Sequence, residues 1–384
     1  MENLEYFTYL LRVVEITGGL YLILIGLYTI GWFTLKTQVP EKLVSFPTIS
    51  VLVAARNEES KLDKLLEKLR DQRYPIDAFE VIVIDDHSED HSIVYAKRFI
   101  QQYRLGNFRV ISAVGEGKKA ALREGMNQAA GKYIAVTDAD CLVSEGWLSS
   151  MARALQQAGT RMLLGPVLLH PAKNLFERMQ SLEFMSLIGS TGGAAALQLP
   201  VMSNGANMLF EKKAALEVEK YRKDNSLQSG DDVFLMEAIR KHYGSEAIRF
   251  VKDELAITTT APCPEIKCFI KQRMRWVSKN KHYRSAFIIL PALIVFTYNF
   301  MLFSLMVLSF FYPFLALVFL LFAGLKLLVD LPLLTTTATF FRNRQYLILA
   351  FPLALVYPVY VVVSGFGGLF FKVKWKGRKQ KKSR

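Results

Sequence analysis

Two stretches of this 384-residue chain are incompatible with a water-exposed surface. From Ile16 to Leu35 there are twenty residues without a charge, and from Ala286 to Leu325 there are forty. A helix needs about 20 apolar residues to cross ~30 Å of hydrocarbon. The first stretch therefore predicts one spanning helix, and the second predicts two, breaking near Tyr312-Pro313. Tyr346 to Phe371 is long enough for one more. A cleaved leader fits the first stretch poorly, because its flank is acidic and no small-residue cleavage site follows. Lys326 and Asp330 interrupt the later apolar sequence at i,i+4 spacing, which lets them pair on one helix face inside a bundle.

Charge orients these segments. The formal net charge is +14, and the last thirteen residues hold eight basic side chains and no acid. Lys36 and Lys42 follow the first span, whereas the short N-terminus is net negative. Basic residues favour the cytoplasmic side, so the N-terminus is expected outside and the middle of the chain in the cytoplasm, at the cell (inner) membrane. Three C-terminal spans would carry the basic tail outside, against that rule. Pro352, Pro358, Gly365, Gly367 and Gly368 suggest that the last segment breaks into a re-entrant hairpin; alternatively the stretch from Ala286 lies in the interface. Either leaves a cytoplasmic tail on anionic headgroups. The expected organisation is an anchor at 1–36, an α/β domain at 37–285, membrane helices at 286–371 and a basic tail at 372–384.

The remaining composition excludes other classes. At 52% hydrophobic residues the chain is no disordered tail. Little excess charge falls on the middle of the chain, so no nucleic-acid partner is expected. Cys141, Cys263 and Cys268 are too few for a disulfide framework and favour a reducing compartment.

The middle of the chain alternates strand-like and helical patterns. Ile49–Ala55, Glu80–Ile84, Arg109–Ala113 and Lys132–Thr137 read as strands. Lys61–Arg70, His91–Tyr103 and Lys118–Ala130 read as helices, the first with leucines at 62, 65, 66 and 69. Such alternation predicts a mostly parallel sheet covered by helices, with ligands outside the carboxyl ends of the strands. Two of these strands end in acids, Asp85-Asp86 and Asp138-Ala139-Asp140. Either group alone is ordinary turn chemistry. Two carboxylate clusters converging on one cleft call for a cation, and hard oxygen ligands beside a phosphate-bearing substrate suit Mg²⁺ or Mn²⁺.

Taken with these acids, the segments Val53–Glu59, Gly117–Leu122, Gly205-Ala206-Asn207, Ser229–Asp232 and Gln272–Trp276 make the chain resemble a membrane-anchored family 2 glycosyltransferase of the Asp, Asp, Asp, Gln-x-x-Arg-Trp type. The resemblance covers roughly residues 46–280 and the flanking membrane segments. It implies a GT-A fold, a Rossmann-like, mostly parallel sheet flanked by transmembrane helices. It further implies that Asp86, with Asp85, reads the base and ribose of a uridine-type nucleotide. Lys118 would sit near the diphosphate, Asp138 near the ribose or donor sugar, and Asp140 would be the metal ligand. Glu58 belongs to the same donor-binding set. Asp232, preceded by Asp231 where the family has Glu, would be the general base of an inverting transfer; it also suits an N-cap for a helix over Val233–Arg240. Gln272 and Arg275 would reach the diphosphate and Trp276 would offer an aromatic platform, while Lys271, Arg273 and Lys279 read as interfacial basics. Cys141 reads as a packed small residue. Arg56, His87 and Arg123 depart from the family pattern.

The implied activity is transfer of a sugar from a nucleotide-diphosphate donor, such as a UDP-sugar, to a lipid or lipid-linked glycan at the membrane. Leu164–Met208 is expected on the acceptor side. A processive polysaccharide synthase is the alternative within the same chemistry. A transporter or non-catalytic scaffold is the alternative outside it, and the scarcity of ionisable residues in the spans argues against that.

Overall fold

A computed structural model of the chain describes residues 2–35, 43, 45–220, 231–279, 283 and 285–370. Lys36, Lys42, the tail at 372–384 and Ser229-Gly230 lie outside the described residues. So does the side chain of Asp231.

The chain opens with α1 (Glu2–Thr34), which begins fourteen residues before the charge-free stretch. The α/β region follows as β1 (Ile49–Ala55), α2 (Leu62–Arg70), β2 (Phe79–Asp85), α3 (Ser92–Gln102), β3 (Phe108–Ser112), α4 (Lys118–Gln128) and β4 (Tyr133–Asp138). These match the alternation read from the sequence. Then come β5 (Leu142–Val143), α5 (Trp147–Ala154), β6 (Met162–Leu164), β7 (Val167–Leu169), α6 (Leu175–Ala196), β8 (Met208–Glu211), α7 (Lys212–Glu219), α8 (Asp231–Tyr243), β9 (Ile248–Phe250), β10 (Thr258–Thr260) and α9 (Ile266–Ser278). The chain ends in α10 (Ala286–Leu308), α11 (Phe314–Phe340) and α12 (Ala350–Phe370).

Among the described residues the main sheet has the order β3-β2-β1-β4-β8-β6-β9. The pairs β2–β3, β1–β2 and β1–β4 are parallel, while β8 runs antiparallel to β4 and β6. A smaller sheet has the order β5-β10-β7. Side chains alternate across a strand, and β1 shows what that does here. Ile49, Val51, Val53 and Ala55 face a core shared with α2 and α5, whereas Leu52 faces a second core shared with α4 and α8. That second core continues without a break into Trp32 of α1 and Leu302 of α10. One face of the sheet thus packs toward the long apolar helices.

Helix α6 makes the junction. It lies against α1 so closely that a Cβ on Gly193 would sit 2.0 Å from the Tyr28 carbonyl oxygen, and one on Gly31 would sit 2.1 Å from that of Gly193. Only glycine permits this approach. The last carbonyls of α1 are satisfied by the domain: the Lys252 ammonium donates to the oxygens of Trp32 at 2.9 Å and Leu35 at 3.3 Å. A cation at a helix C-terminus is favourable for the same reason.

Among the described residues four helices are long and apolar enough to cross a membrane, Phe7–Thr34, Ala286–Leu308, Phe314–Phe340 and Arg344–Phe370. The break between the second and third falls at Ser309–Pro313, as the sequence implied. The expected re-entrant hairpin is not seen. Its glycines pack rather than bend: a Cβ on Gly367 would meet the Met274 side chain at 2.7 Å, and one on Gly368 would meet the Met274 carbonyl oxygen at 2.6 Å. Helix α12 runs unbroken through Pro358 and lies along α9.

Candidate active site

The sheet register collects the acids. Ala55 is opposite Asp85 and Ala54 is opposite Asp138, so the two carboxylate clusters flank the carboxyl end of β1. Asp86 follows β2 and is 2% exposed. Its Oδ1 accepts the N–H of Gly117 at 2.7 Å, at the start of α4, where the positive φ of 96° suits glycine. Burial raises the Asp86 pKa, and the Gly117 N–H and the nearby Arg56 offset only part of that effect. Asp85 turns its Oδ1 to the Ser88 N–H at 2.8 Å. Glu58 lies at the same edge, 3.9 Å from the Lys61 ammonium.

Lys118, the first residue of α4, reaches across to ion-pair with Asp138, and its ammonium also donates to the Gly205 carbonyl at 3.3 Å. Burial works against its charge, but Asp138 and the nearby Asp232 outweigh burial and hold its pKa above the ordinary lysine value. Gly205 joins the two halves of the site, because its N–H donates to Oδ2 of Asp232 at 3.0 Å. The other Asp232 oxygen accepts the Val233 N–H at 3.0 Å. Since α8 begins at Asp231, Asp232 is its second residue and not the N-cap that the sequence suggested.

One ligand atom each from Asp138, Asp140 and Cys141 lie within 4.8 Å of one another. Their chemistry fits a divalent cation held by oxygen. Ammonium groups already stand beside both carboxylates, Lys118 at Asp138 and Lys61 at 3.7 Å from Asp140. The Cys141 thiol is 1% exposed, and burial together with Asp138 and Asp140 pushes its pKa well above the usual value, which keeps it a packed thiol.

Helix α9 closes the site on the side of the apolar helices, and its basic residues divide. Arg275 comes within electrostatic reach of Asp138 and Asp232, which partly offset the lowering of its pKa by burial. Lys271 is exposed, as an interfacial basic should be. Arg273 is not one: it is 5% exposed and paired with Glu183 of α6, itself 2% exposed. The Tyr360 hydroxyl donates to the other Glu183 oxygen at 2.8 Å. Arg273 also stacks over Trp276 at 4.2 Å and donates to Gln272 Oε1 at 2.9 Å, so Gln272 is engaged along its own helix. Nothing in the local sequence of α6 marked Glu183, whose partner lies ninety residues downstream. Asn207 is likewise internal: its amide bonds the carbonyls of Pro166 and Ala256 and accepts from the Trp147 indole.

Asp232, Ser203, Asn204 and Trp276 line the head of a cavity of about 680 Å³ that continues between α1, α6, α10, α11 and α12. Leu164, Gly165 and much of α6 line it too, on the side the sequence assigned to the acceptor.

Residues 50–218 match the family model described as Glycosyl transferase family 2. Glycosyltransferase AglE of Haloferax volcanii is 29% identical over 32% of this chain and 40% of its own length. A Beta-monoglucosyldiacylglycerol synthase of Nostoc is 31% identical over 35% of this chain and 29% of its own. The chain thus spans less than half the length of these curated relatives. A solved mannosyltransferase of Pyrobaculum calidifontis, in complex with GDP-Man and Mn²⁺, has the same fold. It covers 94% of this chain and 99% of its own at a TM-score of 0.60 and 15% identity.

Proposed function

From a chain whose residues 50–218 form a family 2 glycosyltransferase domain, within a GT-A-like fold that carries four apolar helices, we propose inverting transfer of a sugar from a nucleotide-diphosphate donor to a membrane-held acceptor. One observation carries the reading. Asp232 stands where two spaces meet, hydrogen-bonded through Gly205 to the Lys118–Asp138 cluster on one side and lining the cavity among the membrane helices on the other.

The donor half takes the nucleotide. Asp86, Asp85 and Glu58 accept hydrogen bonds from base and ribose, and Asp138 takes a ribose or sugar hydroxyl. Lys118 and Arg275 face the diphosphate, with Gln272 beside them on α9. Asp140, with Asp138, would hold Mg²⁺ or Mn²⁺, and a bound cation supplies Lewis-acid neutralisation of the leaving diphosphate. Mn²⁺ accompanies GDP-Man in the Pyrobaculum enzyme, which fits a metal of this kind.

The acceptor half presents a hydroxyl to Asp232. Two backbone N–H groups fix its carboxylate, oriented to take the proton as the oxygen attacks the anomeric carbon. Trp276 offers its face to the sugar or acceptor. A largely apolar cavity supports addition of one sugar to a lipid over threading of a polymer, and product length in a transfer assay separates the two.

The deciding experiment is thermal stabilisation of the purified chain by UDP- and GDP-sugars with and without Mn²⁺. A native-state ligand raises apparent stability by mass action. One donor class should stabilise in a metal-dependent way, and no stabilisation by any donor overturns the reading.

A further inference from the structure

The cavity beneath Asp232 is apolar for most of its length, yet a polar seam runs down one wall. Midway along it Arg273 is locked by Glu183, and Tyr360 closes the pair. One turn nearer the Gly367–Met274 contact on α12 is Ser364, 3% exposed, lining the cavity, with a hydroxyl that has no hydrogen-bond partner among the described residues. At its foot Lys326, 3% exposed, is ion-paired with Asp330, and the Tyr21 hydroxyl donates to the second Asp330 oxygen at 2.7 Å. The rings of Tyr357 and Tyr21 lie 4.4 and 5.0 Å from the Lys326 ammonium.

Helix geometry gives the depth of this seam. Gly367 packs on Met274 of α9, and Ser364 and Tyr357 lie three and ten residues before it. At about 1.5 Å per residue, Ser364 is roughly 5 Å below that contact and Tyr357 roughly 15 Å. Helix α1 agrees, since Tyr21 lies eleven residues before Trp32, whose carbonyl is held by Lys252 of the domain. The seam therefore extends roughly 15 Å along α12 from its Gly367 contact with α9.

Its chemistry discriminates. Of the three cations that line the cavity, Arg273 and Lys326 are each held by a carboxylate that is itself held by a tyrosine hydroxyl, and the third, Lys279, follows the last turn of α9 beside Trp276. Beyond the mouth, a phosphate reaching Arg273 or Lys326 would have to compete with the carboxylate that already holds it, where charges are costly. Neutral oxygens meet no such obstacle, and the Ser364 hydroxyl is available to donate to one. The head of the cavity argues the same way. A phosphate oxygen needs no base and is repelled by the Asp232 carboxylate, whereas a hydroxyl needs that base.

We propose that this cavity holds an uncharged glycerolipid, its free hydroxyl at Asp232, an ester oxygen on Ser364 and its acyl chains between α1, α10, α11 and α12. A phosphate-headed polyprenyl lipid is the poorer fit. The inference deepens the reading of Asp232 as base and rests on it.

The test is binding of two probes, dioleoylglycerol and a polyprenyl phosphate, to the purified full chain in detergent, followed by native mass spectrometry. Dioleoylglycerol should bind at least about tenfold more tightly than the phosphate. Ser364→Ala should weaken dioleoylglycerol severalfold while leaving nucleotide-sugar stabilisation unchanged. Asp330→Asn, which releases Lys326, should narrow the gap between the two lipids. Equal or tighter binding of the phosphate overturns the inference, as does Ser364→Ala with wild-type lipid binding. Failure to bind either lipid also overturns it, and stabilisation by nucleotide-sugars in that same preparation leaves the transferase reading standing.

Discussion

Oδ2 of Asp232 accepts the backbone N–H of Gly205 at 3.0 Å. Residues twenty-seven apart in sequence thereby lock together, and the Gly205 carbonyl receives the Lys118 ammonium on the other side of the same peptide segment. Donor-side cation and candidate base are thus set relative to each other by one stretch of backbone.

Replacing Asp232 by Asn should keep the oxygen that accepts the Gly205 N–H, give up the second backbone bond and remove the proton acceptor. General-base contributions are typically about 10²–10⁴-fold, so transfer should fall by that range while donor binding changes little. Initial rates with saturating donor, alongside thermal shifts, check both halves. Near wild-type turnover in Asp232→Asn sinks the base assignment.

Removal of divalent metal should act through Asp140. Stabilisation by nucleotide-sugar should disappear on chelation and return with Mn²⁺ or Mg²⁺. Asp140→Ala should show little metal response at any concentration, and a full response there would move the metal elsewhere.

Asp86 carries a pH signature. Its pKa in the folded chain lies above the ordinary 3.8 because burial disfavours the carboxylate. Between the two pKa values the folded state binds more proton than the unfolded state, so this residue's contribution to stability falls as pH rises through that window. Asp86→Asn keeps an oxygen for the Gly117 N–H and has no such loss. Its melting temperature relative to wild type should therefore rise from about pH 4 upward, and a pH-independent difference would contradict the burial argument.

The buried Arg273–Glu183 pair predicts an asymmetry. Glu183→Gln leaves a buried guanidinium without its counter-charge and should destabilise by about 3–5 kcal/mol, whereas Glu183→Leu combined with Arg273→Met should cost far less. Unfolding of both variants in detergent measures the difference. Equal losses would mean that the pair contributes through packing alone.

Much of the donor half is legible in sequence because it is local. A β-branched run followed by two acids marks the end of β2 and of β4, and strand register then brings those ends together. The leucines of α2 and the break at Tyr312-Pro313 are local signals of the same kind. The acceptor half is written in long-range partnerships. Strands β6 and β9 have three residues each and carry no periodic signal. Glu183 has its partner in another helix, so Arg273 reads as a surface basic until α6 and α9 are brought together. The proline and glycine residues of α12 resemble breakers in sequence, yet three of those glycines serve close contacts with α9 and α10.

The glycine crossing of α1 and α6 has a practical consequence for anyone preparing this protein. Helix α1 covers the Gly192-Gly193 surface of α6, supplies Tyr21 and Tyr28 to the cavity wall, and ends on Lys252. A fragment trimmed before β1 to gain solubility would uncover that surface and open the cavity along one side. Even if it folded and bound nucleotide, it should have lost the wall that encloses its second substrate. Transfer to the proposed acceptor would then vanish in a preparation that still looked intact by every donor-side measure, and that silence would say nothing about the untrimmed chain.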